Sequence, residues 1–285
     1  MLYIASVHYK SPRWIDIQAR YLQEHISVPY RRWSSIEGID PVYAARFDRV
    51  IEQRGAHAGK LNHLAREICA AAADSDLIMF LDGDAFPIAD PMPTIEDALA
   101  RSSLLAVRRA ENADEPHPHP CFCVTTVGTW RSLPGDWSGG YPWSAVYGKL
   151  ATDVGANLLR GLELSGSSWV SLLRSNGAQS HPLLFAIYGD IVYHHGAGFR
   201  DDLVTRADRA MLAASRSDRA GAPHLLRRIT ARVKGRSWYE DWQRQTKDRN
   251  RKQSEAIFEA IERGDPNWLA MVRDGDGVAE ATVRR

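Results

Sequence analysis

Residues Leu77 to Ile88 read LIMFLDGDAFPI. Five apolar residues in a row, Leu77 to Leu81, suit a strand covered on both faces, the habit of a parallel sheet. Two carboxylates follow with one glycine between them. At a spacing of two in extended chain, Asp82 and Asp84 point the same way. Like charges on one face repel unless a cation lies between them. Hard oxygen ligands select Mg²⁺ or Mn²⁺, ions that keep positions open for phosphate oxygens.

Working outward, Leu61, Leu64, Ala65, Ile68 and Ala72 recur at helical spacing before that strand, and Asp74 and Asp76 end the helix. Towards the N-terminus, Leu2 to Val7 read as a buried strand, Trp14 to Leu22 as a helix, and Tyr30 to Ile36 as a second strand. Strands alternating with helices predict an α/β fold with a doubly wound sheet, whose ligands gather at the carboxyl ends of the strands.

Downstream, the sequence predicts a helix over Thr94–Ala100, with Thr94 and Asp97 spaced as a capping box. It then predicts strands at Leu104–Val107 and Cys121–Val127, separated by a mobile Pro/His-rich loop, Glu115–Pro120. A Gly/Trp/Pro/Ser-rich loop, Gly135–Tyr147, leads to a helix over Asp153–Leu164. Short strands follow at Trp169–Leu173, Leu183–Ile187 and Ile191–His194. Beyond residue 200 the chain turns polar and helix-forming. The expected organisation is an α/β domain over 1–200 and a helical C-terminal extension over 201–285.

The strand ending in Asp82-Gly-Asp84 resembles that of the GT-A glycosyltransferases, whose D-x-D motif holds a divalent cation against a nucleotide-sugar diphosphate. The segment before it, HAGKLNHLAREICAAAADSD (His57–Asp76), is similar to their helix leading into that strand. The resemblance implies a GT-A-like, Rossmann-like mixed sheet and a Mn²⁺ or Mg²⁺ cofactor. It makes Asp82 and Asp84 metal ligands, and Lys60, Asn62 and Asp82 donor contacts.

TDVGANLLRGLELSGSSWVSLLR (Thr152–Arg174) resembles the inverting, family-2-like branch, in which an acidic residue opens a helix. This implies Asp153 as catalytic base, with Thr152 standing where that branch usually has Glu. YGDIVYHHGAGFR (Tyr188–Arg200) is similar to the C-terminal element from which many of these enzymes supply a histidine. His195 is preferred for its His-x-x-Gly spacing, with His194 kept beside it, and Arg200 is a candidate phosphate partner.

The implied reaction moves a sugar from a nucleoside diphosphate sugar to a hydroxyl of a saccharide, a lipid-linked or a small-molecule acceptor, with inversion. The alternatives are a retaining transferase and a non-catalytic sugar-nucleotide or carbohydrate-binding protein. A haloacid dehalogenase-type phosphatase needs Asp-x-Asp near the N-terminus with Gly-Thr after it, and Ala85-Phe86 stand here. A nucleotidylyltransferase needs a Gly-rich, Arg-containing loop after its first strand, where this chain reads HYKSPRW.

His117, His119, Cys121 and Cys123 are zinc-type ligands at a spacing of two. On extended chain the outer pair lies about 20 Å apart, too far to close on one tetrahedral ion.

The formal net charge is +1, so overall charge names no partner, and nothing in the motifs calls for nucleic acid. Three cysteines, Cys69, Cys121 and Cys123, are too few for a disulfide framework, and no signal peptide is read at the N-terminus. The expected location is cytoplasmic, with peripheral contact at the inner membrane face as an option. That option rests on fifteen Lys/Arg against seven Asp/Glu between Arg200 and Lys252, together with Trp238, Tyr239 and Trp242. The plainer reading is a solvated helical appendage packed on the domain or on a second subunit, the latter making a homodimer.

Overall fold

The computed structural model describes residues 1–112, 114–144, 150–177, 181–198, 204–205, 207–209, 211–212 and 238–273. By its internal contacts the chain divides into two units. One is Met1–Asn176 with Phe185–Phe199, the other Gly177–Leu184 with Arg200–Arg285. Residues 177–184, read from sequence as part of the first domain, thus group with the second.

The first unit is built on a seven-stranded sheet. In chain order its strands are β1 (Leu2–Tyr9), β2 (Tyr30–Glu37), β3 (Arg49–Val50), β4 (Leu77–Asp82), β6 (Leu104–Val107), β7 (His119–Thr126) and β10 (Val170–Leu172). Their spatial order is β10-β6-β7-β4-β1-β2-β3. β1 runs parallel to both β2 and β4, and β7 runs antiparallel between β4 and β6. The sheet is therefore mixed, with its parallel half centred on β1.

Helices cover both faces, which is why β1 and β4 read as unbroken apolar runs. Residues of β4 alternate between two cores. Met79 and Leu81 pack with Leu22, Ile95 and Phe122, whereas Ile78 and Phe80 pack with Leu61, Leu64, Ile68 and Trp130. The first face belongs to α1 (Ile15–His25) and α3 (Met92–Leu99), the second to α2 (His57–Ala71), α4 (Val127–Ser132) and α5 (Ala156–Ser165).

Two helix starts differ from the sequence reading. α3 begins at Met92, because Asp90 rather than Thr94 accepts the first N–H, from Met92 at 2.9 Å, and no capping box forms. α5 begins at Ala156, behind Gly155 at φ +96°, so Asp153 lies before the helix. β7 also starts at His119, two residues earlier than Cys121.

A small antiparallel sheet, in the order β11 (Ala186–Tyr188), β12 (Val192–His194), β5 (Ala85–Pro87), sits on the continuation of β4. Its register pairs His194 with Ala85. The remaining pair is β8 (Trp143–Ser144) with β9 (Leu150–Ala151).

The second unit contains α6 (Trp238–Arg263) and α7 (Trp268–Arg273). Ile257, Phe258, Ile261, Trp268 and Val272 are buried there. Among the described residues no helix is long and apolar enough to cross a membrane. The basic stretch from Arg200 to Lys252 falls largely outside the described residues.

Candidate active site

The small sheet exists to complete the Asp-Gly-Asp turn. β4 ends at Asp82, the chain turns through Gly83 and Asp84, and β5 pairs with β12, so that the end of β12 returns beside the turn. His194 Nε2 then lies 3.6 Å from Asp82 Oδ2 and 3.5 Å from Asp84 Oδ1. The three ligand atoms all fall within 4.8 Å of one another, the one such group of His, Cys, Asp or Glu found among the described residues. Donors sharing a cation at ~2.1 Å sit about 3 Å apart, so this spacing closes on an ion with small side-chain shifts. Two carboxylate oxygens and one imidazole could hold a divalent cation, the carboxylates favouring Mn²⁺ or Mg²⁺.

Sequence reading preferred His195. Alternation along β12 sends it to the opposite face. Its ring packs 4.6 Å from Trp14 and 5.0 Å from Phe185, with Nδ1 bonded to the Tyr193 hydroxyl at 2.8 Å. His195 still serves the turn through its backbone, donating its N–H to the Asp84 carbonyl at 3.0 Å.

Burial would push the Asp84 carboxyl up. The neighbouring His194 charge and hydrogen bond, the His195 charge and the Gly198 N–H outweigh it and hold the carboxyl well below its usual range. Burial likewise pulls His57 down, but attraction to Asp82 and their hydrogen bond raise it overall. His8, fully buried within range of the Asp84 charge, is lowered to about 3 by burial and Arg32 and stays neutral.

Three residues that sequence reading passed over support the turn. Gln18, buried on α1, donates its amide to the carbonyls of Asp82 at 2.9 Å and Ala85 at 2.8 Å. His57, the first residue of α2, places Nε2 3.0 Å from Asp82 Oδ1. Gly198 donates its N–H to Asp84 Oδ2 at 3.0 Å. A polar Gln18 among Ile15, Ile17, Tyr21 and Leu22 on a buried helix face was the available signal.

Lys60 is buried at the carboxyl edge of β1 and β2, with Nζ 2.5 Å from Glu37 Oε2 and 4.8 Å from the Tyr9 ring centre. Asn62 is turned to other work. Its amide donates to Asp136 at 2.7 Å and accepts the Trp137 N–H at 2.8 Å, organising the loop after α4. Arg200 lies outside the described residues.

Asp153 stands on a buried ion pair. Arg109 forks onto Glu115, with Nη2 2.8 Å from Oε2, and reaches Asp153 Oδ2 at 3.4 Å. Asp153 Oδ1 accepts the Val154 N–H at 2.8 Å, and the side chain is 47% exposed, open to an incoming molecule. Burial, reinforced by the Asp153 charge, raises the Glu115 carboxyl despite Arg109.

The segment expected as a mobile loop, Glu115–Pro120, is the bed for this pair. Glu115, His117 and His119 are buried, and the chain at Gly155 presses so close that a Cβ there would meet the Pro118 carbonyl at 2.1 Å. His117, His119, Cys121 and Cys123 do not bring their ligand atoms together as a mutually close group among the described residues. His119 Nδ1 accepts the Cys121 N–H, and burial pushes both thiols up. His119 does approach the Asp82–Asp84–His194 group, its ring centre 6.0 Å from that of His194. Burial, then Arg109, keep it neutral.

No protein-family profile matches the sequence, and no curated protein matches it. Among solved structures, the chain is similar to the mannosyltransferase PcManGT from Pyrobaculum calidifontis, described in complex with GDP-Man and Mn²⁺. That likeness has 14% identity and a TM-score of 0.45, over 98% of this chain and 80% of that one. The galactosyltransferase LgtC, described with donor and acceptor sugar analogues, gives 12% identity and a TM-score of 0.37, over 62% and 74% of the two chains. The glycosyltransferase GlyE of Streptococcus pneumoniae gives 13% and 0.38, with 62% of this chain covering 45% of that one.

Proposed function

We propose that the chain is a metal-dependent glycosyltransferase that moves a sugar from a nucleoside diphosphate sugar to a hydroxyl acceptor. The observation that carries this reading is the Asp82–Asp84–His194 group at the carboxyl edge of β4, where open α/β sheets bind their ligands. A divalent cation held there would neutralise charge on the departing diphosphate.

The chain's own residues supply the rest. Lys60, Tyr9 and Glu37 line the adjoining edge of β1 and β2, which supports seating the nucleotide there. Asp153, anchored by Arg109 and half open, takes the acceptor hydroxyl's proton as its oxygen attacks the anomeric carbon, which gives inversion. The acceptor class remains that of the sequence reading: a saccharide, a lipid-linked or a small-molecule hydroxyl.

A second reading has one specific support. Val154 N–H and Arg109 already occupy both Asp153 oxygens, which suits a purely structural aspartate in a retaining transferase. Incubating the protein with a panel of sugar nucleotides, with and without Mn²⁺, and following release of nucleoside diphosphate tests the activity. Metal-dependent release from one donor supports it. No release and no binding from any donor overturns it.

A further inference from the structure

The two oxygens of Asp82 face different partners. Oδ2 looks towards His194, 3.6 Å away, within the metal group. Oδ1 is held by His57 Nε2 at 3.0 Å. A carboxylate with both oxygens free swings between one- and two-oxygen coordination, and Mg²⁺ tolerates little departure from octahedral geometry. A donor fixed on one oxygen sets the plane of the carboxylate and leaves the other to the ion.

We infer that His57 is a positioning residue of the metal site, holding Asp82 Oδ1 so that Asp82 Oδ2 ligates the cation. His57 is not in the group of mutually close ligand atoms, and its Nε2 is engaged with a carboxylate oxygen. As the first residue of the fifteen-residue α2, it stands on a rigid element packed against the sheet through Leu61, Leu64 and Ile68. It complements Gln18, which fixes the same turn through the carbonyls of Asp82 and Ala85. Side chain and backbone of the metal-bearing turn are thus held from α2 and α1 respectively.

This inference rests on the metal reading above, so the test separates the two. Mn²⁺ alone is titrated into the full-length protein and free ion is read by electron paramagnetic resonance. The proteins compared are the wild type, Asp84→Ala, His57→Ala and His57→Gln, with circular dichroism confirming the fold of each. The expected result is tight binding by wild type and loss in Asp84→Ala. His57→Ala should bind about 10–100-fold more weakly, and His57→Gln, whose amide can still donate to Oδ1, should recover most of the affinity. Wild-type affinity in His57→Ala overturns the inference and leaves the metal reading standing. Loss in His57→Ala as complete as in Asp84→Ala, without rescue by Gln, makes His57 a ligand and also overturns it. Absence of binding by the wild type removes both.

Discussion

Gly198 donates its backbone N–H to Asp84 Oδ2 at 3.0 Å, across 114 positions of sequence. The approach needs a residue without a side chain. A Cβ at 198 would stand 2.8 Å from Asp84 Oδ2, 2.7 Å from its Cβ and 2.5 Å from Trp14 Nε1. Gly198→Ala should therefore displace Asp84 and weaken Mn²⁺ binding about 10-fold or more, at about 1–3 kcal/mol of stability from overpacking. Metal titration beside a thermal melt checks this, and unchanged affinity would show that Asp84 is held without Gly198.

In the second unit, Asp208 is a buried carboxylate met by the Thr205 N–H and hydroxyl, His181, Arg249 and Asn250. Burial alone would raise its carboxyl. The His181 hydrogen bond and those from Thr205 dominate and bring it to about 2. An unfolded aspartate titrates near ~3.9. The folded group is the stronger acid, so its contribution is fully present above pH ~4 and is lost as pH falls towards ~2. Urea unfolding between those limits should show stability falling with pH in the wild type and a shallower dependence in Asp208→Asn. Equal slopes would remove Asp208 from the acid response.

Much of the parallel half was legible because β1 and β4 are buried on both faces and say so in unbroken apolar runs. Asp82 and Asp84 were legible for the same reason, since a run ending in two carboxylates marks a sheet edge. The histidine was harder. His194 and His195 differ by one position, and one position flips the face of a strand. Only the pairing of His194 with Ala85 sets its ring beside the two carboxylates, and that pairing needs β5, a three-residue strand too short to read. His57 and Gln18 act across 25 and 64 positions of sequence, where local spacing carries no signal. Glu115–Pro120 looked like a loop because its prolines and histidines are polar-turn composition, yet the ion pair with Arg109 buries it.

The role proposed for Asp153 makes a kinetic prediction. Asp153→Asn keeps the contact with Val154 N–H but cannot take a proton. It should lower kcat by about 10²–10⁴-fold with donor affinity little changed. Product stereochemistry by NMR should show inversion. Retention of the donor's anomeric configuration, or near-normal turnover in the variant, would leave Asp153 as an anchor for the turn before α5.

The central claim is that Asp84 holds a metal on which donor binding depends. Asp84 is buried at a turn whose backbone is fixed by Gln18 and His195, so its removal gives up the Gly198 contact to Oδ2 but leaves those backbone supports in place. The direct measurement is calorimetry of the sugar nucleotide selected by the panel, with Mn²⁺, on wild type and Asp84→Ala. Metal-dependent binding by the wild type and its loss in a folded Asp84→Ala is the predicted result. Equal donor affinity in the two proteins would contradict the account.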